Sequence, residues 1–397
     1  MIFNHFMTRS THEAVLSVPV LPPIPFKFIS LADGAGMIKH DMLWIFQNQT
    51  FLDLIAPFSP GYYRFGGTRN DLLFFDEDSP EVDFDPNDCS WKNTMSGRIS
   101  KFIFDEPLEH QKITRREIGH IYNAVKCSGL ELIYGLNLNL RKHDAWISSN
   151  TEALLKFISK SSMKMHFELG NEPNSYYHKF ETKMTPKMQT HDIKTLKKLL
   201  KKNNLQDSKI FGPDSTSSHV NGLTYLLRFI KRAEPLISEI TYHHYSLNGH
   251  KSKFNDFLNP ASFQIFEDNV KVWVQNIRNV TDLRINLGET AVAYGGGEAG
   301  LTDRLVGSFM WANKLGLAAT YGIKSVMREA VISSNYRLIG ADLIPNPDYW
   351  ITLAFKNLFY KQVFKAKLET NSRHLKVYAS TKLNDQRKWL FLRFTPL

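Results

Sequence analysis

The stretch HFELGNEPNSYY, His166 to Tyr177, decides how the chain is read. A strand-like segment, His166 to Leu169, runs straight into the polar turn Gly170-Asn171-Glu172-Pro173-Asn174, which carries a carboxylate. One such unit is a strand and a charged turn. Its meaning depends on whether the rest of the chain repeats it.

It does. Short apolar or β-branched runs that end in polar or glycine-rich residues begin at Phe26 (FKFISLAD), Tyr62 (YYRFGGT), Leu130 (LELIYGLN), Met165 (MHFELGNEP), Lys209 (KIFGPD), Glu239 (EITYHHY), Arg284 (RINLGET) and Ile323 (IKSVMREA). Segments of helical periodicity lie between most of them. THDIKTLKKLLKKN, for example, sets Ile193, Leu196, Leu199 and Leu200 on one face, the spacing of an amphipathic helix. Its lysines then form an ordinary solvated face. Eight alternations of strand and helix predict an α/β fold, a (β/α)8 TIM barrel. A doubly wound open sheet is the competitor, but no dinucleotide fingerprint follows the first strand.

The barrel is expected over 26–360, after an N-terminal segment, 1–25. An acidic, proline-bearing stretch, 76–107, reads as an inserted loop,. Beyond it, 361–397 holds KQVFKAKLE, HLKVYAST and KWLFLRF, strand-like runs with polar turns that look like the start of a C-terminal β-sandwich, truncated at Leu397.

With 397 residues, 43% of them hydrophobic, the chain can bury a large core,. Its net charge of +10 favours an acidic partner,. No zinc finger, RNA-binding aromatic signature or basic tail points to nucleic acid, and no apolar run is long enough for an integral membrane segment. The first residues are not read as a signal peptide. The two cysteines, Cys89 and Cys127, allow one bridge or two free thiols,. The triplets at Asn48 and Asn279 are glycosylation acceptors only if the chain is secreted,.

Catalytic groups of such a barrel sit at the C-terminal ends of its strands. Glu172 follows the fourth expected strand and Glu289 ends the seventh. Two carboxylates facing across the mouth are what glycoside hydrolysis needs, one as proton donor and one as nucleophile. That cycle asks for a raised pKa at Glu172 and a lower one at Glu289. Asn171 is placed to hydrogen-bond a sugar 2-hydroxyl. In YHHY, adjacent strand residues point to opposite faces, so His243 and Tyr245 line the mouth while Tyr242 and His244 pack against helices. The same alternation argues against a shared metal ion; no metal and no cofactor is expected. AYGGGEAG, from Ala293, reads as a close backbone approach to a sugar,.

ELGNEPNS from Glu168, HHYSLNG from His243, LGETAVAYGGG from Leu287 and NPDYW from Asn346 resemble the heparanase family, retaining endo-β-glucuronidases of glycoside hydrolase family 79. YYRFGGTRND and CSGLELIYGLN are similar to it too. The resemblance implies Glu172 as general acid/base and Glu289 as nucleophile. Asp33 and Thr68 would contact the sugar beside Asn171, His243 and Tyr245 would support the nucleophile and the uronate, and Gly295, Gly296 and Tyr336 would bind its carboxylate. It further implies a disulfide between Cys89 and Cys127, a secreted or lysosomal setting, and an acidic polysaccharide such as heparan sulfate as partner. The family's sulfate-gripping arginines have no counterpart in STSSHVNG after the fifth strand. An exo-acting β-glucuronidase and a non-catalytic heparan-sulfate-binding paralogue are the alternatives.

Overall fold

Each of the eight expected strands forms, and they close in sequence order. The computed structural model describes residues 13–19, 24–89, 97, 106–218, 221–369, 375–381 and 387–393. The barrel strands are β1 (Ile29–Asp33), β2 (Gly61–Phe65), β3 (Leu130–Leu136), β4 (His166–Leu169), β5 (Ile210–Thr216), β6 (Glu239–His244), β7 (Ile285–Thr290) and β8 (Ser325–Glu329). All neighbours are parallel, and β8 pairs back onto β1. A helix follows every strand: α1 (Gln49–Ile55), α2 (Arg115–Cys127), α3 (Ser149–Lys160), α4 (Pro186–Lys202), α5 (Gly222–Ala233), α6 (Pro260–Arg278), α7 (Leu305–Thr320) and α8 (Pro347–Leu358).

Local chemistry explains where these helices begin. Thr185 caps α4 by accepting from Met188 N, with Pro186 in the first turn, and Thr114 with Glu117 makes a capping box for α2,. α4 buries Ile193, Leu196, Leu199 and Leu200, the face its spacing marks out. Strands covered on both faces have no exposed side: β1 and β2 are buried throughout,.

The first part of the 76–107 insertion, residues 76–89, runs along α2. Asn123 Nδ2 donates to Asp85 O (3.2 Å), Lys126 Nζ to Pro86 O (2.8 Å), and a disulfide joins Cys89 to Cys127, Cα atoms 5.8 Å apart. Residues 90–96 and 98–105 lie outside the described residues.

The N-terminal segment is more than a leader to the barrel. Its strand Glu13–Pro19 pairs antiparallel with β9 (Tyr360–Glu369), which continues through β10 (Leu375–Thr381) to β11 (Arg387–Arg393) as one four-stranded sheet. That pairing joins the two ends of the chain, so no local pattern announces it. The sheet also explains α7, whose sequence LVGSFMWANKLGLAAT is apolar nearly all round and buried from Val306 to Ala319 except at Phe309. Such a helix needs cover on both faces; the barrel supplies one and the sheet the other. Tyr378 of β10 donates to Asn313 Oδ1 at 2.6 Å, and Lys376 pairs with Glu267 of α6 at 3.2 Å.

Gly316 of α7 packs against the Tyr378 ring, and a Cβ there would stand inside it. Gly316→Leu should therefore lower stability by about 1–3 kcal/mol through overpacking. Thermal unfolding checks this, and an unchanged midpoint would show that the ring does not bear on the helix.

Candidate active site

Glu172 is placed by a strained turn. Gly170 leaves β4 at φ 81°, and Glu172 itself adopts φ 51°, ψ 54°, the left-handed region that non-glycine residues rarely enter,. The turn is clamped to the end of β5. Glu172 N donates to Asp214 O (2.9 Å), while Asn174 exchanges two hydrogen bonds of 3.0 Å with the backbone of Thr216. Across the mouth, Glu289 lies in β7 in register with His243 of β6. One carboxylate oxygen of Glu172, one of Glu289 and a ring nitrogen of His243 all fall within 4.8 Å of one another.

Beneath them lies Arg64, 1% exposed in the middle of β2. Its Nε donates to Glu168 Oε2 (2.6 Å), Nη2 to Asp214 Oδ2 (2.6 Å) and Asn171 Oδ1 (2.8 Å), and Nη1 to Glu289 Oε2 (3.2 Å). Gly66 leaves the guanidinium its space, since a Cβ there would come within 2.6 Å of the Arg64 guanidinium carbon. Gly288 does the same for Asp214, whose Oδ1 lies 2.6 Å from where a Cβ would be.

His243 stands between the carboxylates. Its Nε2 lies 2.7 Å from Asp214 Oδ1 and its Nδ1 3.2 Å from Glu172 Oε1. Burial opposes a charge on this ring, but the Asp214 and Glu289 carboxylates outweigh it and push its pKa up to about 10,. The doubly protonated ring donates on both sides. Tyr245 donates to Glu289 Oε1 at 2.6 Å, so both oxygens of Glu289 are held. Both oxygens of Glu172 are held too, by His243 and by Lys179 Nζ at 2.6 Å on Oε2.

This overturns one expectation. Burial alone would raise the Glu172 carboxyl, yet Lys179 and His243 override it and hold it well below the usual range. Glu172 is thus held in its ionised form. Asp214 is likewise depressed, because Arg64 and His243 outweigh its burial. Glu168 and Glu329 move the other way: burial raises both, with Glu289 and Asp33 adding to the shift at Glu329.

Seven expected residues, Thr68, Glu172, Tyr245, Glu289, Gly295, Gly296 and Tyr336, line one cavity of about 820 Å³. Gly295 and Gly296 sit at φ 75° and 74°, backbone that glycine adopts freely,. The other three do not reach the open cleft. Asp33 is fully buried, taking hydrogen bonds from Tyr63 (2.8 Å) and Ser333 (2.6 Å), the second of which ties it to the loop after β8. Asn171 is 3% exposed, accepting from Arg64 and donating to Thr68 Oγ1 at 3.3 Å. His243 is sealed behind the two carboxylates. As expected, Tyr242 and His244 face helices, stacking on Trp273 and lying against Phe266 of α6.

Glu172, His243 and Glu289 could surround a cation by geometry alone. The donor set argues otherwise. His243 is held protonated, and an ammonium and a guanidinium already neutralise the carboxylates.

The sequence reading missed Arg64, Glu168, Asp214, Lys179 and Glu329. The available signal for Arg64 and Glu168 was a lone charge inside a buried strand, in YYRF and HFEL. A buried charge demands a partner, though the sequence does not say which.

Residues 34–316 match the family profile described as glycosyl hydrolase family 79, N-terminal domain. Heparanase from Rattus norvegicus is 33% identical over 379 residues, covering 88% of this chain and 71% of that protein. Hyaluronoglucuronidase from Hirudo nipponia is 29% identical, covering 92% and 77%. Among solved structures, a 4-O-alpha-L-rhamnosyl-beta-D-glucuronidase from Fusarium oxysporum aligns at TM-score 0.61 over 93% of this chain and 84% of that one. A GH51 arabinofuranosidase from Xanthomonas axonopodis pv. citri aligns at 0.68 over 96% and 85%. At 13% and 9% identity, these two share the fold.

Two outcomes follow from the charge cluster. Arg64→Met leaves buried carboxylates uncompensated and should cost about 3–5 kcal/mol in chemical denaturation. Arg64→Lys should not restore it, since an ammonium lacks the planar fork. A neutral result for Arg64→Met would refute the cluster's charge balance. For His243 the folded pKa lies above the unfolded value of about 6.5. Its stabilisation is complete below that pH and fades as pH rises through about 10,. NMR of the ring should therefore show no titration between pH 5 and 8, and a midpoint near 6.5 would contradict the geometry.

Proposed function

The chain belongs to glycoside hydrolase family 79, and from that premise we propose how this endo-β-glucuronidase-type hydrolase works. Glu289 attacks the anomeric carbon of a β-glucuronide while Glu172 protonates the departing glycosidic oxygen, so the C–O bond breaks and a glycosyl ester forms on Glu289. Water then attacks the same carbon, Glu172 takes its proton, and the ester bond breaks to free Glu289 and the sugar. The observation that carries this reading is the pair itself, with carboxylate oxygens within 4.8 Å of each other. Inverting enzymes keep their carboxyls roughly 6.5–9.5 Å apart to admit a water, whereas retaining ones bring them closer.

The surroundings fit those roles. Arg64 and Tyr245 hold Glu289 oriented at both oxygens. Thr68, Gly295, Gly296 and Tyr336 line the same cavity and are read as contacts for the sugar and its carboxylate. The substrate is proposed to be an acidic glycosaminoglycan such as heparan sulfate. The relatives' names, heparanase and hyaluronoglucuronidase, support this class, as does the net charge of +10. The disulfide between Cys89 and Cys127 favours an oxidising setting, secreted or lysosomal,. No helix among the described residues is long and apolar enough to cross a membrane. Residues 26–360 are read as the catalytic unit and 361–397 as part of a β module that also takes in the N-terminal strand.

Glu172→Gln should lower kcat on a uronic-acid polysaccharide by about 10²–10⁴, the usual worth of a positioned acid. Glu289→Gln should lower it at least as far, because no covalent step remains. New reducing ends report both. An activated 2-fluoro-glucuronide should label Glu289 in peptide mass spectrometry; labelling elsewhere, or full activity in either variant, would sink the assignment.

A further inference from the structure

Lys179 sits on the short helix Tyr176–Phe180, seven residues beyond Glu172. Its Nζ donates to Glu172 Oε2 at 2.6 Å and to Thr68 Oγ1 at 2.9 Å. The other oxygen of Glu172 faces His243 Nδ1 at 3.2 Å. Each carboxylate oxygen therefore meets a cationic donor, and a hydrogen on either would point at a group with no lone pair to accept it. An acid that must give up a proton has none to give in this arrangement.

The two cations differ in freedom. His243 is 0% exposed and fixed by Asp214 at 2.7 Å. Lys179 is 24% exposed on the cavity wall and ends a flexible four-carbon stem. Beside it the wall continues through Ser175, His178, Thr216 and Ser218, on the acid's side of the cleft, where the leaving sugar sits once Glu289 faces the anomeric carbon.

We propose that Lys179 is a displaceable positioning residue, holding Glu172 ionised in the free enzyme until an anionic group on the leaving sugar draws the ammonium away. One ion pair replaces another, and Glu172 Oε2 takes a proton from solvent. The lowered pKa that Lys179 and His243 together impose on Glu172, against its burial, agrees with this. The inference rests on the reading of Glu172 as the acid, and it makes the charge of the sugar after the scissile bond an activator of cleavage.

The test compares two β-glucuronide oligosaccharides of equal length, one with a neutral leaving sugar and one whose leaving sugar carries a carboxylate or sulfate. The unaltered protein should turn over the anionic one roughly tenfold faster in kcat, the effect of about one pKa unit at the acid. Equal kcat values would overturn the proposal without any variant. In Lys179→Met the preference should shrink to within about twofold, and the basic limb of kcat/KM against pH should move up by about one unit on the neutral substrate. Lys179→Arg, still cationic, should leave that limb in place. A Lys179→Met profile that keeps both limb and preference would also overturn it. If Glu172→Gln stays fully active, the acid assignment itself has failed; if Glu172→Gln is inactive and Lys179→Met is unchanged, only the role of Lys179 has.

Discussion

Everything at the mouth of this barrel depends on one guanidinium. Arg64 is buried in β2 and reaches residues of β4, β5 and β7 together with the turn after β4. A buried unpaired cation costs several kcal/mol, so these contacts are obligatory once the chain places an arginine there. The same constraint works in reverse on its partners. Asp214 can remain ionised in a dry interior because Arg64 and His243 lie against it. The fork shape matters as much as the charge, since one plane serves partners from several directions. Gly66 and Gly288 belong to this constraint, being the positions where a side chain would occupy the space of the guanidinium or of Asp214.

Burial then sorts the carboxylates. Glu168 and Glu329 are pushed toward the neutral form, whereas Asp214 and Glu172 are pulled toward the ionised one. Glu168 shows how close the balance is. It touches Arg64 at 2.6 Å, yet desolvation and the nearby Asp214 outweigh that contact. With His243 protonated, it lies between Asp214 and Glu172, and Arg64 holds the other oxygen of Asp214. Proximity alone would suggest a crowd of mutually repelling acids; the protonation states remove most of the repulsion.

The barrel was legible because its signal is local and repeated. A strand buried on both faces must read as a short apolar run, and a helix on its outside must alternate with period 3.6. Glu172 and Glu289 were legible for the related reason that they punctuate strand ends, where a barrel keeps its chemistry. What escaped was non-local. Nothing around Arg64 states that Glu168 lies 104 residues away in sequence and 2.6 Å away in space. Asp33 and Asn171 lie at the expected end of the barrel but are buried there, a depth that sequence does not state because it gives a residue's strand end alone. The pairing of Glu13–Pro19 with Tyr360–Glu369 escaped likewise, although α7, apolar on every side, was a sign that something covered its outer face.

The strain at the site bears on why one oxygen of Glu172 has a buried, fixed partner and the other an exposed, flexible one. Glu172 and Asp214 both hold positive φ, 51° and 60°, at a cost of roughly 1–3 kcal/mol each. They are also joined backbone to backbone, Glu172 N to Asp214 O. Neither conformation could persist alone; the Asn174–Thr216 clamp, the Arg64 fork and the His243 bridge over-determine them together. This rigidity ends at Oε1. On the Oε2 side the partner is Lys179, a long side chain on the cleft wall. In the proposed cycle the acid/base must first lose a proton and later gain one without shifting its carbon skeleton. A carboxylate anchored hard through one oxygen, with an exchangeable partner on the other, is the arrangement that permits both steps.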